Sequence, residues 1–237
     1  MKKKLVLFWI LLICGGAFAQ NYSVYDFDNY PNKNFGNEKI LFIADYSSSM
    51  SEPLEGESKV NIMLDTVEKI LPTLSKDKFI GLRVYGHRRG LTAYDACKAS
   101  TLAVPVMQNS TKKIESEMNR FKPSGMTPIT YSLKQAVEKD LNFEGDKKII
   151  LLTDGGENCD ESPCKWAMKF IKTRKDVKID VIAFNMDNYE DIDQLRCVAN
   201  VTSGKLYNAE TSAQLLNSLQ KSFDVRKEVD AKIIPHH

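Results

Sequence analysis

Short apolar runs punctuate the chain at Lys39–Ala44, Phe79–Tyr85, Lys148–Leu152 and Ile179–Phe184, each flanked by polar or turn-forming residues. Continuous apolar runs of this length suit strands buried on both faces of a sheet. Between them the period changes to three and four. Met63, Val67, Ile70, Leu71 and Leu74 predict one helix, with Ser58 available as its cap. Ile129, Leu133, Ala136 and Val137 predict a second, with Pro128 at its first position. Trp166, Phe170 and Ile171 predict a third, opened by Pro163, and Leu215, Leu216, Leu219 and Phe223 mark a C-terminal helix over about 212–226. Strand and helix alternate from residue 39 to about 226. That order predicts an α/β, doubly wound, mostly parallel sheet with helices on both faces. Thr101–Met107 follows the Phe79–Tyr85 run without an apolar helix pattern between, so it is expected as one antiparallel edge strand. No internal repeat or second core is visible, and one domain over 38–226 accounts for the pattern.

The ends of the chain read differently. Lys2–Lys4, the apolar run Leu5–Ile13 and the small-x-small sequence Ala17-Phe18-Ala19 have the order of a secretory signal peptide over 1–19, with Gln20 as the new N-terminus. Lipidation at Cys14 is the lesser alternative, because Ile13 rather than a small residue precedes it. Residues 20–37, rich in Asn, Tyr and Asp, read as a flexible extension, and 227–237 as a C-terminal tail. The formal charge of the 237-residue chain is +2, but without the leader 30 Lys and Arg stand against 31 Asp and Glu. No broad basic footprint remains, so nucleic acid is excluded as a partner class. No later stretch approaches about 20 consecutive apolar residues, so no transmembrane segment is expected in the mature chain. Export, periplasmic or secreted, also changes how the cysteines read. Cys97, Cys159, Cys164 and Cys197 remain after cleavage, and an even number favours two disulfides. A zinc site lacks close Cys or His partners at the right spacing.

Ligands of open α/β sheets sit beyond the carboxyl ends of the strands, at the topological switch point. Three segments there carry short oxygen-bearing side chains: Asp45-Tyr46-Ser47-Ser48-Ser49, Ser124-Gly125-Met126-Thr127-Pro128 and Thr153-Asp154-Gly155-Gly156. In Asp-x-Ser-x-Ser a tight loop lets alternate side chains converge while Tyr46 and Ser48 point away. Gly125, Gly155 and Gly156 are expected where backbones approach closely. Such oxygens suit a hard cation: carboxylates of Asp45 and Asp154 to offset charge, hydroxyls of Ser47, Ser49 and Thr127 as neutral ligands. Taken singly, each segment is an ordinary capping loop or turn.

Together, Asp45-x-Ser47-x-Ser49, Thr127 in Gly-x-Thr-Pro and Asp154 in Thr-Asp-Gly resemble the metal-ion-dependent adhesion site of von Willebrand factor type A domains over about residues 38–226. Tyr85-Gly86-His87-Arg88, the Cys159-x4-Cys164 pair and Leu195-Arg196-Cys197 are similar to a subgroup of bacterial exported A domains. The resemblance implies Mg²⁺, or Mn²⁺ or Ca²⁺, contacted directly by Ser47 and Ser49, with Asp45 and Asp154 acting largely through water. It also implies a Thr127 that moves with ligand state. The implied function is an exported adhesion or interaction module whose metal captures an Asp or Glu of a protein partner, acting as a monomer or within an envelope complex. Met126, His87, Arg88, Glu157 and Asn158 are expected to rim the site. Two other readings compete: a structural metal-bound scaffold, and a hydrolase or phosphatase using Asp45 or Ser47 with His87. Against the enzyme, Ser47 stands where a phosphatase of the aspartate type needs a second carboxylate, and no Gly-x-Ser-x-Gly elbow is present. The four cysteines allow three pairings. Cys97–Cys159 with Cys164–Cys197, which would tie loops and helices around the site, is preferred to a local Cys159–Cys164 bridge that leaves Cys97 and Cys197 to pair across the central strands.

Overall fold

The computed structural model describes residues 39–224. The leader, Cys14, the 20–37 extension and the C-terminal tail lie outside the described residues. Six strands form the main sheet: β1 (Lys39–Asp45), β4 (Phe79–Tyr85), β5 (Ser100–Met107), β6 (Lys147–Thr153), β7 (Val177–Phe184) and β8 (Leu206–Ala209). A two-residue-per-strand hairpin of β2 (Pro53–Leu54) and β3 (Glu57–Ser58) stands apart from it. The spatial order is β5-β4-β1-β6-β7-β8, with only β5 antiparallel to its neighbour β4. The chain therefore builds outward from β1 in one direction and then restarts on its other side at β6. The crevice between the carboxyl ends of β1 and β6 is the switch point.

Strand alternation sorts the apolar residues into two layers. Ile40, Phe42 and Ala44 of β1 and Ile150 and Leu152 of β6 face α1 (Lys59–Ile70), α3 (Thr111–Met118) and α7 (Ser212–Ser222). Leu41, Ile43, Ile149 and Leu151 face α4 (Ile129–Gln135), α5 (Pro163–Phe170) and α6 (Tyr189–Val201). A one-turn helix, α2 (Ala93–Ala96), lies in the long β4–β5 connection. The Ser58 hydroxyl caps α1 by accepting the Asn61 N–H, and α1 tightens into a 3-10 turn at Leu71–Thr73, where Pro72 has no N–H to donate.

Four features depart from the sequence expectation. Pro128 is the N-cap of α4 rather than its first residue, with φ −80° and ψ 65°. α4 continues as a π-turn over Ala136–Asp140. α3 escaped the periodicity because it buries only Ile114 and Met118 among charged and polar neighbours. β8 is a four-residue edge strand without an apolar run.

Beneath the α4 layer, Arg83 of β4 is buried. Its guanidinium donates to both carboxylate oxygens of Asp140 in the π-turn, at 2.6 and 2.9 Å, and to the Ser100 hydroxyl at 2.9 Å. Among the described residues no helix is long and apolar enough to cross a membrane.

Candidate metal centre

Asp45 closes β1 at the switch point, and its side chain is fully buried. Oδ1 accepts the backbone N–H of Ser47 at 2.6 Å; Oδ2 accepts the hydroxyls of Tyr85 and Thr153, both at 2.8 Å. These donors end the flanking strands β4 and β6, so sheet register delivers them. They satisfy the carboxylate without fully compensating its loss of water. Burial first, and the negative charge of Asp154 second, raise the Asp45 carboxyl to about 6.

The chain then alternates. Tyr46 turns into the opposite layer and donates its hydroxyl to the Met118 carbonyl at 2.8 Å. Ser47 turns toward the crevice and precedes a 3-10 turn over Ser48–Ser51. Ser48 turns away, its hydroxyl and N–H both reaching the Gly125 carbonyl at 3.0 Å. Ser49 turns back. Its hydroxyl lies 3.1 Å from that of Ser47 and donates to Asp154 Oδ1 at 2.7 Å. Asp154, just past β6 and 6% exposed, also accepts from the Lys59 ammonium through Oδ2 at 3.1 Å. Burial raises its carboxyl, while Ser49 and Lys59 pull the other way.

Thr127 arrives from a third direction. The Ser124–Thr127 loop lies against Ser47 through a bridge between Ser47 and Gly125. It fits because residue 86 is glycine. At φ +72° a side chain is strained, and a Cβ there would lie 2.5 Å from the Ser47 nitrogen and 2.8 Å from the Met126 oxygen. Of the glycines expected at close approaches, Gly125 abuts the Arg88 carbonyl and Gly156 the Asp191 carboxylate. Gly155 is different, since a Cβ there would meet open space. Thr127 is buried and clamped by Asn158, whose Oδ1 accepts the Thr127 N–H at 2.6 Å. The Thr127 hydroxyl makes no hydrogen bond to Asp45, Ser47, Ser49 or Asp154.

The surrounding residues divide. Glu157 is turned inward: its carboxylate accepts the N–H of Thr130 at 2.7 Å, near the start of α4, and that of Cys159 at 3.0 Å. Glu157 and Asn158 thus act as struts between the loop after β6 and the Thr127 loop. Met126 is half-buried and Arg88 exposed. His87 is half-buried, with Nε2 3.2 Å from the Thr101 hydroxyl and its ring edge-on to Phe121. Burial, then the charge of Arg88, lowers its pKa. It makes no hydrogen bond to Ser47, so the structure does not assemble the Ser-His pair that a hydrolase would need.

Cys97 is bonded to Cys159 and Cys164 to Cys197, with Cα separations of 5.6 and 5.3 Å. The first bond ties the β4–β5 connection to the loop after Asp154. The second joins α5 to α6.

Three neighbours of the site had no role assigned from sequence: Tyr85 and Thr153, which stood only as members of longer motifs, and Lys59. The first two are polar residues at strand ends. Lys59 did leave a signal, because it places a cation in the first turn of a helix, where an anion is favoured.

The donor set is oxygen only, which suits a hard cation. Two buried carboxylates also repel each other there, and a divalent charge would offset that repulsion. Among the described residues no group of three or more His, Cys, Asp or Glu is arranged to hold a metal, so any such site here depends on hydroxyls. The family model of the von Willebrand factor type A domain matches residues 38–208. The chain belongs to that family.

A domains are generally non-catalytic modules that bind protein partners, often through a metal-ion-dependent adhesion site. This A domain is 24% identical over 217 residues to the uncharacterized protein YwmC of Bacillus subtilis (strain 168), covering 89% of this chain and 92% of that protein. It is 25% identical over 190 residues to YwmD of the same organism, covering 78% and 84%. Its fold is similar to that of proximal thread matrix protein 1 of the mussel byssus with a zinc-occupied MIDAS motif (TM-score 0.58, 20% identity, 79% of this chain and 45% of that one). It is also similar to the pilus adhesin SpaC of Lactobacillus rhamnosus GG in its open conformation (TM-score 0.60, 12% identity, 81% of this chain). The A domain spans less than half of the mussel chain and 30% of the adhesin.

Proposed function

We propose that this A domain is an exported protein-binding module that holds a divalent cation, Mg²⁺ or alternatively Mn²⁺ or Ca²⁺, and uses it to capture an Asp or Glu of a partner. The residues assigned to the cation are Asp45, Ser47, Ser49, Thr127 and Asp154. The observation that carries the reading is the line of oxygens from Ser47 through Ser49 to Asp154, beside the buried Asp45 at the switch point. When bound, the cation supplies a positive centre that accepts a partner carboxylate. The chain's own part is to keep the neutral hydroxyls pointing into the crevice, to hold Asp45 rigid through Tyr85 and Thr153, and to brace the loops with Asn158, Glu157 and the Cys97–Cys159 bond. Met126 and Arg88 are assigned to the partner-facing rim, with His87 behind them. The two disulfides support an extracytoplasmic location, since such bonds persist in oxidising compartments.

The enzyme reading is weaker. Asp45 is 0% exposed and both its oxygens are engaged, so it is poorly placed as a nucleophile. The test is calorimetric titration of Mg²⁺ and Mn²⁺ into the purified, oxidised protein and into Asp45→Ala. Saturable binding that the substitution abolishes is the expected result. A folded, oxidised protein that binds neither ion overturns the reading.

A further inference from the structure

Lys59 stands out among the described cations because it sits against helix electrostatics and out of water. It is the first residue of α1, 5% exposed, where the helix dipole disfavours positive charge. Its ammonium donates to Asp154 Oδ2 at 3.1 Å and to Glu52 Oε2 at 3.2 Å. The Glu52 carboxylate is 63% exposed and largely screened by solvent, whereas that of Asp154 is buried. Asp154 is therefore the partner that keeps Lys59 in place.

We propose that Lys59 is a positioning residue that sets the charge of the metal site. The inference rests on the metal reading above. Two buried carboxylates, Asp45 and Asp154, bring two negative charges to the crevice, and Lys59 cancels one. With a divalent cation the group then carries a net charge of about +1 rather than zero, by Coulomb counting. The surplus is directed at an incoming carboxylate. Lys59 thus weakens the grip on the metal itself and strengthens the grip of the loaded site on a partner's Asp or Glu. It also spares the metal-free chain from holding Asp154 without a counter-ion.

The sign of one measurement separates this role from a structural one. Mg²⁺ and Mn²⁺ are titrated calorimetrically into the wild-type protein, Lys59→Met, Lys59→Gln, Lys59→Arg and Asp45→Ala, with circular dichroism as the check on folding. Removing a unit charge beside the buried pair is expected to tighten metal binding by about tenfold or more in Lys59→Met and Lys59→Gln. Lys59→Arg, which keeps the charge, should stay within about threefold of wild type on the same argument. Unchanged affinity in folded neutral variants overturns the charge-setting role. So does weaker affinity, which would mean that Lys59 only props Asp154. If wild type binds and Asp45→Ala does not, either result refutes the Lys59 proposal and leaves the metal reading standing. If wild type binds neither ion, both are refuted.

Discussion

Replacing Asp45 with Asn should stabilise the metal-free protein while abolishing the metal binding proposed above. Asp45 is fully buried and its carboxyl titrates at about 6 in the fold, raised by burial and by Asp154, against about 4 in an unfolded chain. The folded state holds the proton more tightly than the unfolded state does. Between about pH 4 and 6 the native protein therefore binds more protons, and its stability falls as pH rises through that window. Above it the whole cost is present, about 3 kcal/mol from the separation of the two pKa values. Asn keeps the shape without the charge. Its carbonyl still accepts the Ser47 N–H, and the Tyr85 and Thr153 hydroxyls can rotate to accept from its amide. Exchanging charge-assisted for neutral hydrogen bonds returns about 1 kcal/mol of the gain. The net expectation near pH 7.5 in chelator is about 2 kcal/mol of added stability. For a domain of this size that is a melting temperature higher by about 4–8 °C. The advantage should shrink as pH falls toward about 4, where Asp45 is protonated in the fold and half protonated in the unfolded chain, so that little of the cost remains. In excess Mg²⁺ the order should narrow or reverse, because only wild type gains from binding. Thermal melts of both proteins across pH, with chelator and with Mg²⁺, make the comparison. An Asn variant no more stable than wild type near pH 7.5, or an advantage that persists unchanged at about pH 4, refutes the reasoning.

Arg83→Met should cost about 3–5 kcal/mol in urea unfolding, because it strands the buried Asp140 carboxylate. Adding Asp140→Leu should recover most of that loss, and a single-variant loss below about 1 kcal/mol would contradict the assignment. Replacing either cysteine pair with Ala should destabilise by about 4 kcal/mol on the chain-entropy argument, the bonds closing sequence separations of 62 and 33 residues. Only loss of Cys97–Cys159 should also weaken Mg²⁺ binding, because only that bond anchors the loop after Asp154; equal effects on affinity would count against it.

Much of the architecture was legible because burial on both faces of a parallel sheet forces continuous apolar runs, and the four runs marked β1, β4, β6 and β7. β8 and α3 were not legible for the converse reason. An edge strand and a half-exposed helix need few apolar residues: α3 buries only Ile114 and Met118. At the site, the motif residues announced themselves by spacing, but Tyr85 and Lys59 did not. Each lies within an ordinary strand or helix stretch and becomes relevant only through its partner, Asp45 for one and Asp154 for the other. Glu157 and Asn158 show the same limit. The sequence reads both as a polar rim; the structure adds that Glu157 braces the start of α4 and that Asn158, itself exposed, clamps Thr127, contacts set by where distant segments of the chain lie.

The sequence by itself determined which four strands are buried on both faces, the Ser58 cap of α1 and the three loops that end at one sheet edge. These are local consequences of hydrophobic period and turn chemistry. The tertiary structure decided the rest: which cysteines meet, which face His87 presents, and how much charge the crevice holds. Those properties depend on distances between residues far apart in the chain. Lys59 and Asp154, 95 positions apart, share a proton-donating contact only because α1 starts where β6 ends.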